Sequence, residues 1–297
     1  MKFSRNHYFR TVVIITVIFS TCQAFAVDYN KKELSRKPEV EQSTVTSKEK
    51  PEVHNIGSRL ELLVDDYLIK SMTGAIRLKL HRPERKEIVF RTDAPWEGNA
   101  SSYQSIVYDG RKYLMYYRGG HYGDHPTESG VAAKPLKPHA WYLCLAESSD
   151  GINWTRTEVG LYKFPWWDAN GTTANNIILH PDTPGKNVST PETAVFYDEN
   201  PDCPPEERYK IVGVGDLKGL GMYVMKSADG IHFSGLSDEP VVTEGAFDSQ
   251  NIIFWDPGAK AYREYHRIHL PGGVPGVATS TSKNIRSFPP PVARCSG

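Results

Sequence analysis

The chain has 297 residues, and its 35 lysine and arginine residues balance 35 aspartate and glutamate residues, so the formal net charge is zero. No Lys/Arg run is interleaved with aromatic residues, which argues against nucleic acid as a partner. The four cysteines are too few for a disulfide-framed scaffold, although a bridge between Cys144 and Cys203 stays open.

Residues 1–26 have the pattern of a secretory signal peptide. A basic segment precedes the apolar run TVVIITVIF, and the tripeptide Ala-Phe-Ala at 24–26 offers a cleavage site. As a helix, the apolar run rises only about 14 Å, which is too short to cross a bilayer of roughly 30 Å. The sequence therefore predicts export, with a secreted or periplasmic location and no membrane span.

Residues 27–57 are predicted to form a disordered linker. Lys, Glu, Ser, Thr and Pro dominate this segment, which buries too little apolar surface to offset the entropy of ordering. The folded domain is expected at 58–288, and the tail at 289–297 is expected to be aberrant because it has no strand pattern.

Strand signals dominate the predicted domain. Short β-branched or aromatic runs are separated by Gly, Asp, Asn and Pro. No stretch after residue 57 keeps a 3.6-residue apolar period for three turns, so the domain is predicted to be all-β. The predicted strands are Tyr103–Asp109, Lys112–Arg118, Trp141–Ser148, Thr193–Tyr197, Tyr209–Val214, Gly221–Lys226, Asn251–Trp255 and Ala261–His269.

A turn motif recurs between these strands. The sequence SSDGINW at 148–154 returns as SADGIHF at 227–233, and SKNIRSF at 282–288 is a degraded third copy. Asp in such a turn bonds backbone N–H groups, and Gly accepts a positive φ. An apolar strand and a Tyr-rich strand precede each copy, which predicts one antiparallel sheet per repeat, fanned about a shared axis as propeller blades. The alternative is a β-sandwich whose hairpins resemble one another by chance.

The repeat S-x-D-G-I-x-[W/F] after a Tyr-rich hairpin resembles the five-bladed β-propeller glycoside hydrolases, the arabinanase, xylosidase and invertase group. The segments LELLVDDYLI at 60–69 and FDSQN at 247–251 are similar to a poorly characterised bacterial branch of that group. Repeats that begin near Tyr103, Thr193 and Ser249 imply about three blades, with strands at 58–99 closing the ring. A five-bladed ring needs about two further blades, so the resemblance implies an incomplete propeller and a C-terminally truncated chain.

The resemblance also implies where the chemistry lies. In such propellers the substrate sits over the axis, where the first strand of each blade begins, between paired carboxylates that hydrolyse a glycosidic bond. The matching positions are Glu97, Glu192 and Asp248, which are the predicted catalytic residues. The invertase-like Asn-Asp-Pro-Asn-Gly and Arg-Asp-Pro signatures are absent. The alternative is that these carboxylates are solvated loop charges, and Asp65 and Asp66 are expected to cap a turn.

Aromatic residues and arginines extend the predicted site. Flat rings stack on sugar C–H faces, and an arginine holds an anionic substituent in a bidentate manner. The alternatives are packing between blades for the rings and structural salt bridges for the arginines. The predicted substrate-binding residues are Trp96, Tyr103, Arg118, Trp166, Trp167, Asn251 and Arg267.

No cofactor and no metal are predicted. The sequence has no phosphate loop, dinucleotide fingerprint, or Ser or Cys nucleophile motif. His121 and His125 have no strong metal-ligand spacing. The predicted function is a secreted glycoside hydrolase-like propeller that acts on a poly- or oligosaccharide. The alternatives are a carbohydrate-binding propeller without catalysis and an inactive truncated product.

Overall fold

The computed structural model describes residues 53–57, 61–121, 139–164, 171–190, 192–215 and 221–294. The chain divides into two compact units, Met1–Arg82 and Pro83–Gly297. The predicted signal peptide and most of the predicted linker lie outside the described residues.

The described residues of the first unit form turns and no strand. The backbone N–H of Tyr67 donates to the Asp65 carboxylate at 3.0 Å, which confirms the turn predicted there. The prediction of strands at 58–99 is wrong for residues 61–99, where the structure describes none. Leu62, Val64 and Leu80 of the first unit are 82%, 78% and 95% exposed. A strand forms only where its backbone pairs with a neighbour, and apolar alternation cannot supply that neighbour.

Three antiparallel sheets follow one another along the second unit. Among its described residues there is no α-helix, only a short 3₁₀ turn at Pro205–Glu207. The first sheet consists of β1 (Ser102–Tyr108), β2 (Tyr113–His121), β3 (His139–Ser148), β4 (Thr155–Arg156) and β5 (Ile177–Leu179), which pairs with β3. The second consists of β6 (Ala194–Tyr197), β7 (Tyr209–Val214), β8 (Met222–Ser227) and β9 (Ser234–Gly235). The third consists of β10 (Ile252–Asp256), β11 (Ala261–Leu270), β12 (Val274–Ser282) and β13 (Val292–Arg294).

Each of the eight runs predicted between Tyr103 and His269 forms a strand, so the all-β prediction is confirmed for the described residues. Five strands lie outside the predicted runs: the short β4, β5 and β9, and the strands β12 and β13. β12 begins with Val274-Pro275-Gly276, where Pro and Gly indicate a break, yet it pairs with β11 along its whole length. β13 lies in the tail that was expected to have no strand, and it pairs with Val277–Thr279 of β12.

The recurring turn has the same hydrogen bonds in the first and second sheets. Ser148 Oγ accepts from the N–H three residues later at 2.9 Å, and Asp150 Oδ1 accepts from the N–H groups two and three residues later at 2.8 and 2.7 Å. Ser227 and Asp229 repeat these contacts, each at 2.9 Å. A related turn at 282–288 joins β12 to β13. The copies are therefore equivalent corners of like sheets.

The second sheet is packed between the first and the third. Leu145 of the first sheet shares a buried cluster with Ile211 and Phe233. Val224 on the other face of the second sheet shares a cluster with Ile253 of the third. The first strands β1, β6 and β10 contact one another in that order. Three successive sheets argue against the two-layer sandwich.

Two further observations concern the described residues. Cys144 and Cys203 are buried free thiols, so the bridge between them is not formed. No helix in this part of the chain is long and apolar enough to span a membrane.

Candidate functional site

The loops that precede the three first strands meet at one place. Gln250, just before β10, donates from its side-chain amide to the carbonyl of Tyr103 at 3.4 Å and to that of Thr193 at 3.1 Å. The N–H of Val195 in β6 donates to the hydroxyl of Ser105 in β1 at 3.1 Å. The hydrogen bonds of one glutamine thus connect all three sheets at the predicted position of the site.

Backbone strain is concentrated here. Tyr103 and Phe247 both have a φ of 55°, and Lys260 is the one other non-glycine residue with positive φ in the described part of the chain. Such a conformation costs about 1–3 kcal/mol and persists only where the surroundings fix it. Strain of this kind is typical of functional sites.

Two of the predicted carboxylates interact in this region. Glu192 is partly buried, and burial raises the pKa of its carboxyl. The negative charge of Asp248 raises that pKa further, whereas the Arg118 guanidinium opposes the rise. Asp248 has a side chain that is 50% exposed, and its Oδ2 lies 3.4 Å from Nη1 of Arg267. Each carboxylate therefore has an arginine nearby. Arg118 on β2 of the first sheet attracts Glu192, and Arg267 on β11 of the third sheet lies beside Asp248.

Arg118 is held in place by aromatic rings. Its guanidinium carbon lies 4.7 Å from the ring centroid of Tyr103 and 4.4 Å from that of Trp141. Its Nε donates to the carbonyl of Ala100 at 3.1 Å. Gly120 makes room for Trp141, because a Cβ there would lie 2.1 Å from the indole ring. The site thus contains a preorganised cation that attracts Glu192.

Glu97 has a different environment from the other two carboxylates. Its side chain is 0% exposed, and Arg156 binds it in a bidentate manner, with N···O distances of 2.9 and 2.8 Å. The Tyr117 hydroxyl donates to it at 2.5 Å and the Ala94 N–H at 2.7 Å. A fully buried carboxylate with four donors holds a loop in place, and its oxygens are already occupied by protein groups.

Two predicted substrate-binding residues are engaged in packing. Trp96 donates its indole N–H to Asn176 at 2.6 Å, and its ring packs edge-on against Phe164. Asn251 is 0% exposed and donates to the carbonyls of Phe247 and Ser249. Trp166 and Trp167 lie outside the described residues. Tyr103, Arg118 and Arg267 remain at the site.

A cavity of about 600 Å³ lies beside Arg267, the ion-pair partner of Asp248. It is lined by Gln250, Tyr265, His266 and Arg267 together with β12. Gln250 of the FDSQN motif and Arg267 belong to segments singled out from the sequence, whereas His266, whose side chain is 0% exposed, was missed. The signal in the sequence was the polar pair Glu264 and His266 at alternate, inward positions of β11.

The other large cavity and the possible metal ligands among the described residues lack a pair of carboxylates or a set of metal-ligating side chains. A second cavity, of about 700 Å³, lies near Tyr162, His180 and Phe233 and has Asp182 as its one carboxylate. No group of three metal-ligating side chains occurs among the described residues. His125, one of the two histidines considered as metal ligands, lies outside them.

Neither a protein-family model nor a curated protein matches the sequence. Several solved structures are similar to it. One represents the GH130 family of mannoside phosphorylases, described as containing glycoside hydrolases that target β-1,2 mannosidic linkages in Candida mannan. It is 15% identical with a TM-score of 0.39, and the match covers 66% of this chain and 50% of that one.

Two more similar structures are a β-1,2-mannobiose phosphorylase from Listeria innocua and a family 117 glycoside hydrolase from Zobellia galactanivorans. The first is 12% identical with a TM-score of 0.40, covering 64% of this chain and 57% of that one. The second is 13% identical with a TM-score of 0.37, covering 70% and 59%. This chain thus spans 50% to 59% of the three structures. Because every one of these TM-scores is below 0.5, its function has to be inferred from its own residues.

Proposed function

We propose that this chain is a glycoside hydrolase-like protein whose site uses Glu192 as proton donor and Asp248 as the second carboxylate. The observation that carries the proposal is that Gln250 joins the loops of Glu192 and Asp248 through the carbonyl of Thr193, with Arg267 3.4 Å from Asp248 and with Glu192 partly buried, which raises its pKa. Hydrolysis of a glycosidic bond needs one carboxyl group that keeps its proton and one carboxylate that acts on the sugar.

The two groups have environments suited to different roles. Glu192 holds its proton to higher pH than an exposed glutamate, so it can protonate the leaving oxygen. Asp248 is half exposed beside Arg267 and can approach the sugar ring directly or through a water. In retaining enzymes the carboxyl groups are about 5 Å apart, whereas in inverting enzymes they are about 6.5–9.5 Å apart.

The sheets are proposed to be propeller blades. The support is the equivalent turn in each sheet and the contact of β1 with β6 and of β6 with β10, which brings the first strands together as around an axis. Both carboxylates then lie at the axis end of their blades.

The substrate is proposed to be a poly- or oligosaccharide outside the cytoplasm. Arg267 lies 3.4 Å from Asp248 and Arg118 attracts Glu192, so neither carboxylate leaves an uncompensated negative charge at the site. Export by residues 1–26 is tested by expressing the full chain with its leader and determining the N terminus of the product. Val27 is expected as the first residue, and an intact Met1 on the exported protein would contradict the assignment.

The catalytic roles are tested with Glu192→Gln and Asp248→Asn. Each is assayed on aryl glycosides, β-1,2-mannobiose and xylotriose, and each is expected to lower turnover about 100-fold or more, the usual effect of removing an acid–base group. The controls are Glu199→Gln and Asp202→Asn, since both side chains are exposed on a nearby loop. Turnover that survives both site substitutions in folded protein would exclude this carboxylate pair.

Carbohydrate binding without catalysis is the second candidate. The observation that favours it is that Arg118 is fixed between Tyr103 and Trp141, which makes an aromatic and cationic surface suited to a sugar. In this case the wild-type chain would bind an oligosaccharide in calorimetry but hydrolyse none. Tyr103→Ala would then abolish binding, whereas Asp248→Asn would have little effect.

A further inference from the structure

A buried acid–histidine pair lies on β11, next to the proposed site. The side chains of Glu264 and His266 are both 0% exposed, and Nδ1 of His266 lies 2.7 Å from Oε2 of Glu264. The Ser280 hydroxyl donates to the other carboxylate oxygen at 2.7 Å. An ionised carboxylate only accepts hydrogen bonds, so the tautomer with its proton on Nδ1 is the one that fits this contact. The orientation of the imidazole ring is therefore set by Glu264.

Glu264 is the polar anchor of this ring. Nε2 of His266 is buried and has no hydrogen-bond partner in the described part of the chain. The ring is thus held by its bond to the carboxylate and by packing. A buried polar atom without a partner destabilises the folded state, so its retention calls for a compensating contact.

The compensating contact is with a strained residue. The ring centroid of His266 lies 5.1 Å from that of Phe247, which is fully buried and has a φ of 55°. Gly245 permits this approach, since a Cβ there would lie 2.6 Å from the imidazole ring. The strained turn persists only because neighbouring groups fix it, and the imidazole is one of them.

Arg267, the next residue of β11, contacts the residues on either side of Phe247 in the same turn. The N–H of Ala246 donates to the carbonyl of Arg267 at 2.9 Å, and the guanidinium of Arg267 lies 3.4 Å from Asp248. His266 supports Phe247, which stands between Ala246 and Asp248. Two consecutive residues of one strand thus place three consecutive residues of the turn.

We infer that Glu264 and His266 are positioning residues for Asp248, acting through the ring of Phe247. This inference rests on the proposed function, because the carboxylate that they position is the one assigned to the sugar. Both side chains are 0% exposed, so they are inferred to act through the turn and not by direct contact with a ligand. Their effect is to keep the turn at 245–248 in the one conformation that directs Asp248 to the site.

The test measures amide hydrogen exchange of Ala246 in the full chain by NMR. Glu264→Ala and Phe247→Leu are each expected to accelerate exchange at Ala246 by about 10-fold or more, because local opening no longer has to break the ring contact. Glu264→Gln should stay within about threefold, since its amide oxygen still accepts from Nδ1. The matched control is His269→Ala, an exposed position on the same strand.

The kinetic readout separates positioning from stability. Where the wild type turns over a saccharide, Glu264→Ala should lower kcat about 10-fold with KM within twofold, and Glu264→Gln should restore it. Unchanged exchange at Ala246 in Phe247→Leu, or equal acceleration throughout the third sheet, would overturn the inference. If Glu264→Ala does not fold, Phe247→Leu decides, because it leaves the buried pair intact. A wild type without turnover removes the proposed function, and the exchange rates still decide whether the pair clamps the turn.

Discussion

The buried ion pair between Glu97 and Arg156 permits a quantitative prediction that separates stability from chemistry. Glu97 is 0% exposed, and its two oxygens receive the Arg156 guanidinium, the Tyr117 hydroxyl and the Ala94 N–H. Glu97→Ala leaves Arg156 with one carboxylate partner, Asp93, which is 57% exposed. It also leaves the Tyr117 hydroxyl buried without that acceptor.

Breaking a buried pair by removing one partner costs about 3–5 kcal/mol. For a domain of this size each kcal/mol lowers Tm by about 2–4 °C, so Glu97→Ala should lower Tm by about 6–20 °C. The matched control is Asp93→Asn, which removes the exposed carboxylate from the same guanidinium. An exposed pair is worth about 0–1 kcal/mol, so this control should lower Tm by less than about 4 °C.

The assay is thermal unfolding followed by circular dichroism, with saccharide turnover measured at a temperature where both variants are folded. Glu97→Ala should then retain most of the wild-type turnover. A small Tm change in Glu97→Ala would refute the account of the ion pair. Loss of turnover at full stability would instead return Glu97 to the set of catalytic candidates.

Three other changes have outcomes that follow from the structure. Gly120→Ala places a Cβ 2.1 Å from Trp141 and should displace this ring from the guanidinium it packs on, weakening saccharide affinity in calorimetry. Burial raises the pKa of Glu192, so ionising this carboxyl in the folded protein lowers the stability at pH values above its ordinary pKa of about 4.3. At lower pH the carboxyl is protonated and this loss of stability is absent. Glu192→Gln should therefore raise Tm at pH 7, and the gain should vanish near pH 3. Lys210→Met removes the fully buried ammonium 2.9 Å from the carboxylate of Asp198 and should cost about 3–5 kcal/mol in urea unfolding.

The predicted strands and the turns could be inferred from the sequence because the strands pair with partners nearby in the chain and the turns bond within a few residues. Alternating β-branched and aromatic runs bury one face wherever they pair. The Ser and Asp side chains of the turn accept hydrogen bonds from N–H groups two or three residues later. The spacing of these residues in the sequence therefore largely determines the conformation of the turn. The equivalence of 148–154 and 227–233 could be seen for this reason.

The other strands depend on distant partners. β12 contains Pro275 and Gly276, and it forms because the long β11 offers a continuous row of backbone groups. β13 is three residues long and exists through its pairing with β12. Residues 61–99 have apolar signals of strand type but form no strand among the described residues. In each case the outcome was decided by the neighbouring chain, which the local pattern does not contain.

The candidate site shows the same division. Glu97, Glu192 and Asp248 hold like positions in the sequence, each in the loop that precedes the first strand of its sheet. They differ in the position of the arginine that interacts with each carboxylate. Arg156 is distant from Glu97 in the sequence and lies on the short strand β4, where it binds the fully buried carboxylate.

The arginines of the other two carboxylates lie on second strands and leave them open. Arg118 packs on Tyr103 and Trp141 and attracts Glu192, and Arg267 lies 3.4 Å from the half-exposed Asp248. A buried bidentate arginine consumes the lone pairs of a carboxylate, whereas a partly exposed one tunes its charge and leaves oxygens free for a ligand. We therefore propose that the position of the arginine, more than that of the acid, decides which of the three similar loops serves as the site.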